Sequence, residues 1–238
     1  MDPKNTVNVS LITYISFAFV FFVVKARMAS GGMKHTIAIL IFVFLSGLLQ
    51  FIINIDLSKK YCGEVDMKMV VYATFVPWIV IFCGFTLAIT TLPGWLRVFS
   101  NTLGVFVLKE SGLTEIVNAL FADHPNDNQQ VKKDMLGQIY TNQTALIIEL
   151  DIESVTNTEN GWSFPALNEL VSLRIINELT GARKDLIQQL YEKLLLKNEI
   201  GYFCWYILIG IFFILVSTNT LLSSTCTPKK ADYSSIFK

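Results

Sequence analysis

Three carboxylates in strict alternation, Glu149, Asp151 and Glu153, are the residues of this chain best spaced to do chemistry. On an extended strand alternate side chains share a face, so the three could hold a divalent cation or divide into an acid and a base. No histidine accompanies them. A solvated strand face explains them more simply, because Ile148 to Glu153 alternates apolar and acidic residues as a half-buried strand does. His35 and His124 are the only histidines, one abutting an apolar run and the other preceding Pro125 in a turn-forming cluster, so a two-histidine metal site is not expected. Cys62, Cys83, Cys204 and Cys226 fall in no Cys-x-x-Cys or Cys/His spacing, and Cys83 and Cys204 lie inside apolar runs as small hydrophobes. Dinucleotide-binding, phosphate-binding, nucleophile-elbow and zinc-protease motifs do not occur. These residues predict no catalytic group, no cofactor, no metal and no small-molecule substrate. Asn8-Val9-Ser10 and Asn142-Gln143-Thr144 match the glycosylation triplet, a pattern too common to decide anything.

The elements that would position any site are set by hydropathy. Of 238 residues, 53% are hydrophobic and only 16% charged, with a mean hydropathy of +0.50, which places the chain in lipid. Nineteen basic and nineteen acidic residues cancel, so no global field recruits nucleic acid or an anionic substrate. Four stretches without Asp, Glu, Lys or Arg approach the roughly 20 residues that a hydrocarbon core demands: Val7 to Val24, Thr36 to Ile55, Val70 to Leu92 and Ile200 to Leu222. The leader before the first is barely basic and lacks a good small-x-small cleavage site, so this stretch reads as a retained span. Transporters and pumps place ionisable groups inside the membrane, and these spans hold none. Gln50, Asn54 and Asn219 are the amides within them, expected toward span ends, and Gly84 to Ala88 is a small-xxx-small pair that could admit a neighbouring helix.

Four spans put both termini on one side of a bilayer, and the segment from Pro93 to Glu199 on the other. Near span ends that second side carries nine Lys and Arg against seven, a thin margin placing the long segment in the cytosol. Cys62 and Cys226 share the terminal side, where an oxidising lumen could bridge them. The long segment is patterned. Leu113, Ile116, Val117, Leu120 and Phe121 predict a helix behind Ser111-Gly112, and Gln130 to Tyr140 a second. Ile148 to Glu153 predicts a strand, Thr156 to Gly161 a turn, Trp162-Ser163-Phe164 a short return strand, and Pro165 the first turn of another helix. From Ala182 the pattern continues toward the fourth span, either unbroken to Leu222 or interrupted at Gly201. The expected fold is therefore a mainly α membrane protein of about four transmembrane helices, with a small α+β polar domain inserted between spans three and four. Its expected parts are spans one to three over residues 1–92, a membrane exit and interfacial helix over 93–111, the polar domain over 112–199, span four over 200–222 and a polar tail over 223–238.

The most specific feature follows span three: Pro93, Gly94, Trp95, Leu96, Arg97, Val98, Phe99, Ser100, Asn101, Thr102, Leu103 and Gly104. A sharp turn, a Trp at headgroup depth, and Leu96, Phe99, Leu103 and Phe106 at helical spacing describe a helix lying along the bilayer, with Arg97 able to reach lipid phosphate. These residues, with Pro77-Trp78 and Ile81-Phe82-Cys83-Gly84, resemble a membrane-protein family encoded by large icosahedral double-stranded DNA viruses of the chlorovirus and mimivirus kind. The resemblance spans about Tyr72 to Val107, and Val98 and Leu103 depart from the family's pattern. It implies a structural protein of the virion's internal membrane or of the minor capsid layer that joins that membrane to the shell. Its implied partners are the lipid bilayer and the major and minor capsid proteins, and its implied location is the internal virion membrane, reached through host membranes derived from endoplasmic reticulum.

Overall fold

A computed structural model describes residues 3–27, 33–121, 137, 143–150, 152, 155–158, 161–172 and 182–225. The chain is mainly helical, with four helices long and apolar enough to cross a membrane: Val7–Ala26, Lys34–Lys60, Met67–Thr91 and Lys184–Ser223. It divides into two compact units, one of Met1–Trp95 with Phe203–Lys238 and the other of Leu96–Tyr202.

In the first unit, α1 (Pro3–Arg27) and α2 (Met33–Cys62) both outrun the apolar stretches that predict them. Helix propagation past the last apolar residue pairs each added amide with the carbonyl one turn back, so Asp56, Lys59 and Lys60 simply ride on the last turns of α2. Gly63, at a φ of 75°, turns the chain in the left-handed region after α2. Asp66 then caps α3 (Met67–Pro77), its carboxylate accepting from the amides of Lys68 at 3.0 Å and Met69 at 3.3 Å. Past Pro77 the helix widens into a π-helical segment, Trp78–Cys83, before resuming as α4 (Gly84–Thr91). The missing amide and bulky ring of a proline inside a helix are a sufficient cause for that disturbance.

The core of this unit is layered along α2. Near Phe42, a cluster of rings joins Tyr14, Phe22, Phe82, Tyr206 and Phe213, with Phe42 to Tyr206 at 5.3 Å and Phe82 to Phe213 at 5.7 Å between centroids, edge to face. Farther along come the buried amides Gln50 and Asn54, and beyond them an aliphatic layer of Leu57, Val70, Ala73 and Leu221. Outward-facing positions such as Ile12, Phe19, Leu40, Ile52, Val80 and Leu87 are large, apolar and exposed, as lipid-facing residues must be.

The second unit contains α5 (Pro93–Phe99) from Leu96 onward, a second π-helical segment (Ser100–Gly104), α6 (Val105–Glu110), α7 (Leu113–Phe121), α8 (Gln143–Glu149) and α9 (Pro165–Ser172). It also takes the first part of α10 (Ala182–Thr225) as far as Tyr202. Its core comprises Leu108, Leu113, Val117, Leu120, Ile147, Leu150, Phe164, Leu167, Ile187, Leu190 and Leu194. The helix expected behind Ser111-Gly112 is α7, and Pro165 opens α9 as expected. Gly201 does not interrupt α10, which runs unbroken for 44 residues.

Among the described residues of Ile148 to Glu153, the expected strand is not formed. Gln143 to Glu149 is helical, burying Ile147 and Leu150 and leaving Ile148 and Glu149 exposed. Burial three apart, with Leu146 packed against the same core, satisfies a helical period that the alternation from Ile148 onward conceals. The strands among the described residues are β1 (Thr156–Thr158) and β2 (Gly161–Ser163), antiparallel with Asn157 opposite Trp162. The segment expected to be a turn therefore supplies the first strand of this hairpin. Of the helix expected over Gln130 to Tyr140, the described residues include Gly137, which is helical.

Candidate functional site

Two pairs of spans in the first unit are locked by the same device. The Tyr14 ring of α1 lies against Gly210 of α10, and its hydroxyl donates to the Tyr206 carbonyl at 2.6 Å, four residues before that glycine. The Trp78 ring likewise lies against Gly47 of α2, and its Nε1 donates to the Val43 carbonyl at 3.0 Å, again four residues earlier. A Cβ on Gly47 would come within 2.7 Å of that nitrogen, and one on Gly210 would overlap the Tyr14 ring. A missing side chain opens the helix surface, and the carbonyl one turn back becomes a second acceptor for an aromatic donor. By contrast, nothing in the described chain lies within 4 Å of a Cβ built on the exposed Gly84.

A buried polar cluster joins α2, α3 and α10. Gln50 Nε2 donates to Asn54 Oδ1 at 3.0 Å and toward Thr218 Oγ1 at 3.4 Å. Asn54 Nδ2 donates to Thr74 Oγ1 at 2.7 Å and to Ser217 Oγ at 2.8 Å. Both amide hydrogens of Asn54 are thereby used, as burial in an apolar bundle requires. Gln50 and Asn54 are both buried in the packed interior, in the second half of Lys34–Lys60. Asn219 is exposed near the end of α10.

The exit sequence divides between the units. In the first, Leu92 closes α4 with its amide on the Ala88 carbonyl at 2.9 Å, and Pro93 and Gly94 open α5. Trp95 stacks on Trp205 at 5.5 Å, and Trp205 Nε1 donates to the Trp95 carbonyl at 2.7 Å. In the second, Leu96, Ser100 and Gly104 form the buried face of the exit helix and press on α10. A Cβ on Gly201 would meet Ser100 Cβ at 3.0 Å and Leu96 Cδ1 at 3.1 Å, and one on Gly104 would meet the Lys197 carbonyl at 2.8 Å. Small residues on both helices let their backbones approach. Arg97 is exposed, and Phe99 and Asn101 are half-buried.

The expected apolar face of Leu96, Phe99, Leu103 and Phe106 is split. Leu96 turns inward, while Leu103 and Phe106 point outward with Val98 and Val107. The π-helical turn between them is the reason: one extra residue in a turn rotates everything downstream by roughly 100°.

Two lysines one turn apart on α10 close helix ends in the second unit. Lys193 Nζ donates to the Ser111 carbonyl at 2.7 Å, just past α6, and the buried Lys197 Nζ donates to the carbonyls of Ile147 and Leu150 at 3.2 Å each, at the end of α8. An ammonium there meets both the unpaired carbonyls and the negative end of the helix dipole. Sequence pattern places Lys193 and Lys197 near a span, but the caps depend on residues 47 to 82 positions away.

Of the carboxylates that head the sequence reading, Glu149 is exposed at the end of α8, and Asp151 and Glu153 lie outside the described residues. So do His124, Cys226 and the side chain of Cys62, the last two being the expected bridge. His35 Nδ1 lies 2.8 Å from Lys25 Nζ. Among the described residues no three His, Cys, Asp or Glu side chains are placed to hold a metal. No family model, curated protein or solved structure matches this chain. Glycine notches, amide cluster and exit seam hold helices against one another, and none presents a nucleophile or an acid and base to an open cavity.

Proposed function

We propose that this chain is a structural viral membrane protein, a minor capsid component that anchors the capsid shell to the internal virion membrane. The observation that carries the reading is the exit sequence from Pro93 to Gly104, where the resemblance to the viral membrane-protein family coincides with the small-residue seam of Leu96, Ser100, Gly104 and Gly201. A segment that serves packing suits an anchor, whose task is to transmit position and not to turn over a substrate. The bundle interior fits as well. Among its described buried residues, Lys25 at one end is the only Lys, and no Arg, His, Asp or Glu is buried with it, whereas a carrier of charged solutes needs such groups inside.

In this reading the polar segment between spans three and four, a small α+β module in the sequence, docks on major and minor capsid proteins from the cytosolic face of membranes derived from endoplasmic reticulum. Cross-linking of intact purified particles followed by peptide identification tests it. Cross-links from Lys109, Lys184 or Lys193 to capsid protein are expected; finding the chain only in infected-cell membranes, and never in purified virions, would falsify it.

The alternative is a small oligomeric channel or carrier using the Gln50 and Asn54 cluster, a hydrogen-bonded polar layer inside the bundle. Solute flux from reconstituted vesicles above that of empty ones, abolished by Asn54→Leu, would favour it.

A further inference from the structure

Between α1 and α2 a cleft of about 320 Å³ is lined by Val9, Ser10, Thr13, Ile52, Ile53, Asp56 and Lys60. That volume is at the lower end of the roughly 300–1,000 Å³ of ligand pockets, enough for part of one slender molecule. We propose that it seats a single phospholipid with a primary-ammonium head, of the phosphatidylethanolamine class. This inference rests on the bilayer placement of the chain and is independent of its place in a virus particle.

Three features point to that occupant. Ile52 and Ile53 make the wall apolar on α2 away from the ions, and Val9 and Ile52, exposed on its two sides, open it toward whatever surrounds the bundle. From Ile52 to Lys60 the helix rises about 12 Å, so the cleft runs from hydrocarbon depth to the last turn of α2. There Asp56 and Lys60 form an exposed ion pair at its mouth. Ions at a span end belong at headgroup level, where they remain solvated.

That pair is complementary to a zwitterion. A lipid phosphate beside Lys60 and its ammonium beside Asp56 would give each ion a second opposite charge, so that binding leaves neither uncompensated. An anionic head without an ammonium would set a phosphate against Asp56. Choline brings the positive charge but no N–H to donate to the carboxylate.

The test uses the full-length chain reconstituted in nanodiscs of equal parts phosphatidylethanolamine, phosphatidylcholine and phosphatidylglycerol, extracted mildly and weighed by native mass spectrometry. One retained phosphatidylethanolamine per chain, in excess of the other two, is expected. Loss of one charge-assisted contact in Asp56→Asn or Lys60→Gln should cut its retention roughly tenfold. Ile52→Trp should block the cleft from its open side, with Val9→Trp as the second filling variant if the first does not fold. Lys59→Gln, outside the cleft, should change nothing. Equal retention of the three lipids, preference for phosphatidylglycerol, or retention unaffected by Lys60→Gln overturns the proposal. So does a disulfide-linked dimer formed through Ile52→Cys, which would put a second copy in the cleft. A chain that needs detergent yet retains no ethanolamine lipid overturns this inference alone, whereas one soluble without detergent overturns the membrane placement with it.

Discussion

Tyr14 and Gly210 are fitted to each other: the glycine has no room for a side chain because the tyrosine ring occupies it, and the ring's hydroxyl reaches the Tyr206 carbonyl at 2.6 Å. Trp78 and Gly47 repeat the relation between the π-helical segment that follows α3 and α2, with Val43 as the acceptor. Each span pair is thus positioned by shape and by a hydrogen bond that only one register permits. Such locks fix which turn of one helix faces which turn of its neighbour, and random apolar packing in lipid does not.

Gly210→Ala should therefore be costly, since the added methyl has to displace a ring buried among Phe42, Phe82 and Tyr206. Overpacking of this kind costs about 1–3 kcal/mol. Tyr14→Phe keeps the ring and loses only the hydrogen bond, for which roughly 0.6 kcal/mol is usual between membrane helices. Reversible unfolding in mixed micelles should rank Gly210→Ala well below Tyr14→Phe, and equal losses would show that the notch is not tightly fitted.

Asn54 ties α2 to both α3 and α10 through one side-chain amide. Asn54→Leu removes both donations and should lower stability by about 1–2 kcal/mol. Thr74→Val removes one. A double-mutant cycle between these two positions should return a coupling near 0.6 kcal/mol, and at most about 1.7. Coupling indistinguishable from zero would mean that the two groups do not meet in the folded bundle.

Much of the first unit was legible from sequence because charge is so expensive in hydrocarbon that its absence over 18 or more residues marks a span almost by itself. Helix ends were not, because Asp56, Lys59 and Lys60 continue α2 without being apolar. The Ile148 to Glu153 strand was misread since alternation over a few residues weighs more, in a sequence, than the 146, 147 and 150 spacing that actually meets the core. The exit helix shows a different limit. Ser100 and Gly104 mark a close-packed seam only once Gly201 is known to lie opposite, and the π-helical turn that divides Leu96 from Leu103 follows from backbone geometry that no residue pattern encodes.

Lys197 should matter more than Lys193, although both close a helix end from α10. Its ammonium is buried and divided between two carbonyls, so Lys197→Met leaves the end of α8 without its cap and costs about 1–3 kcal/mol. Its own carbonyl also crowds Gly104, which leaves little freedom for the larger guanidinium of Lys197→Arg to reseat. Hydrogen exchange over residues 143–150 should accelerate in Lys197→Met and stay near the native rate in Lys193→Met. Equal acceleration in both would assign the effect to α10 as a whole.

The last prediction separates the two faces of the exit helix. Gly104→Ala sets a methyl against the Lys197 carbonyl, where neither backbone can retreat cheaply, so it should loosen the seam and expose residues 96–110 to limited proteolysis. Phe106→Ser, on the exposed face with Val98 and Leu103, touches no such contact and should leave proteolysis unchanged. If that face lies on the bilayer, a spin label at Phe106→Cys should be accessible to oxygen dissolved in lipid and shielded from a water-soluble nickel reagent, while one at Arg97→Cys should be more accessible to nickel. Labels at both positions with equal access to nickel would place the exposed stripe in water, where a contiguous apolar surface of this kind would need a protein to cover it.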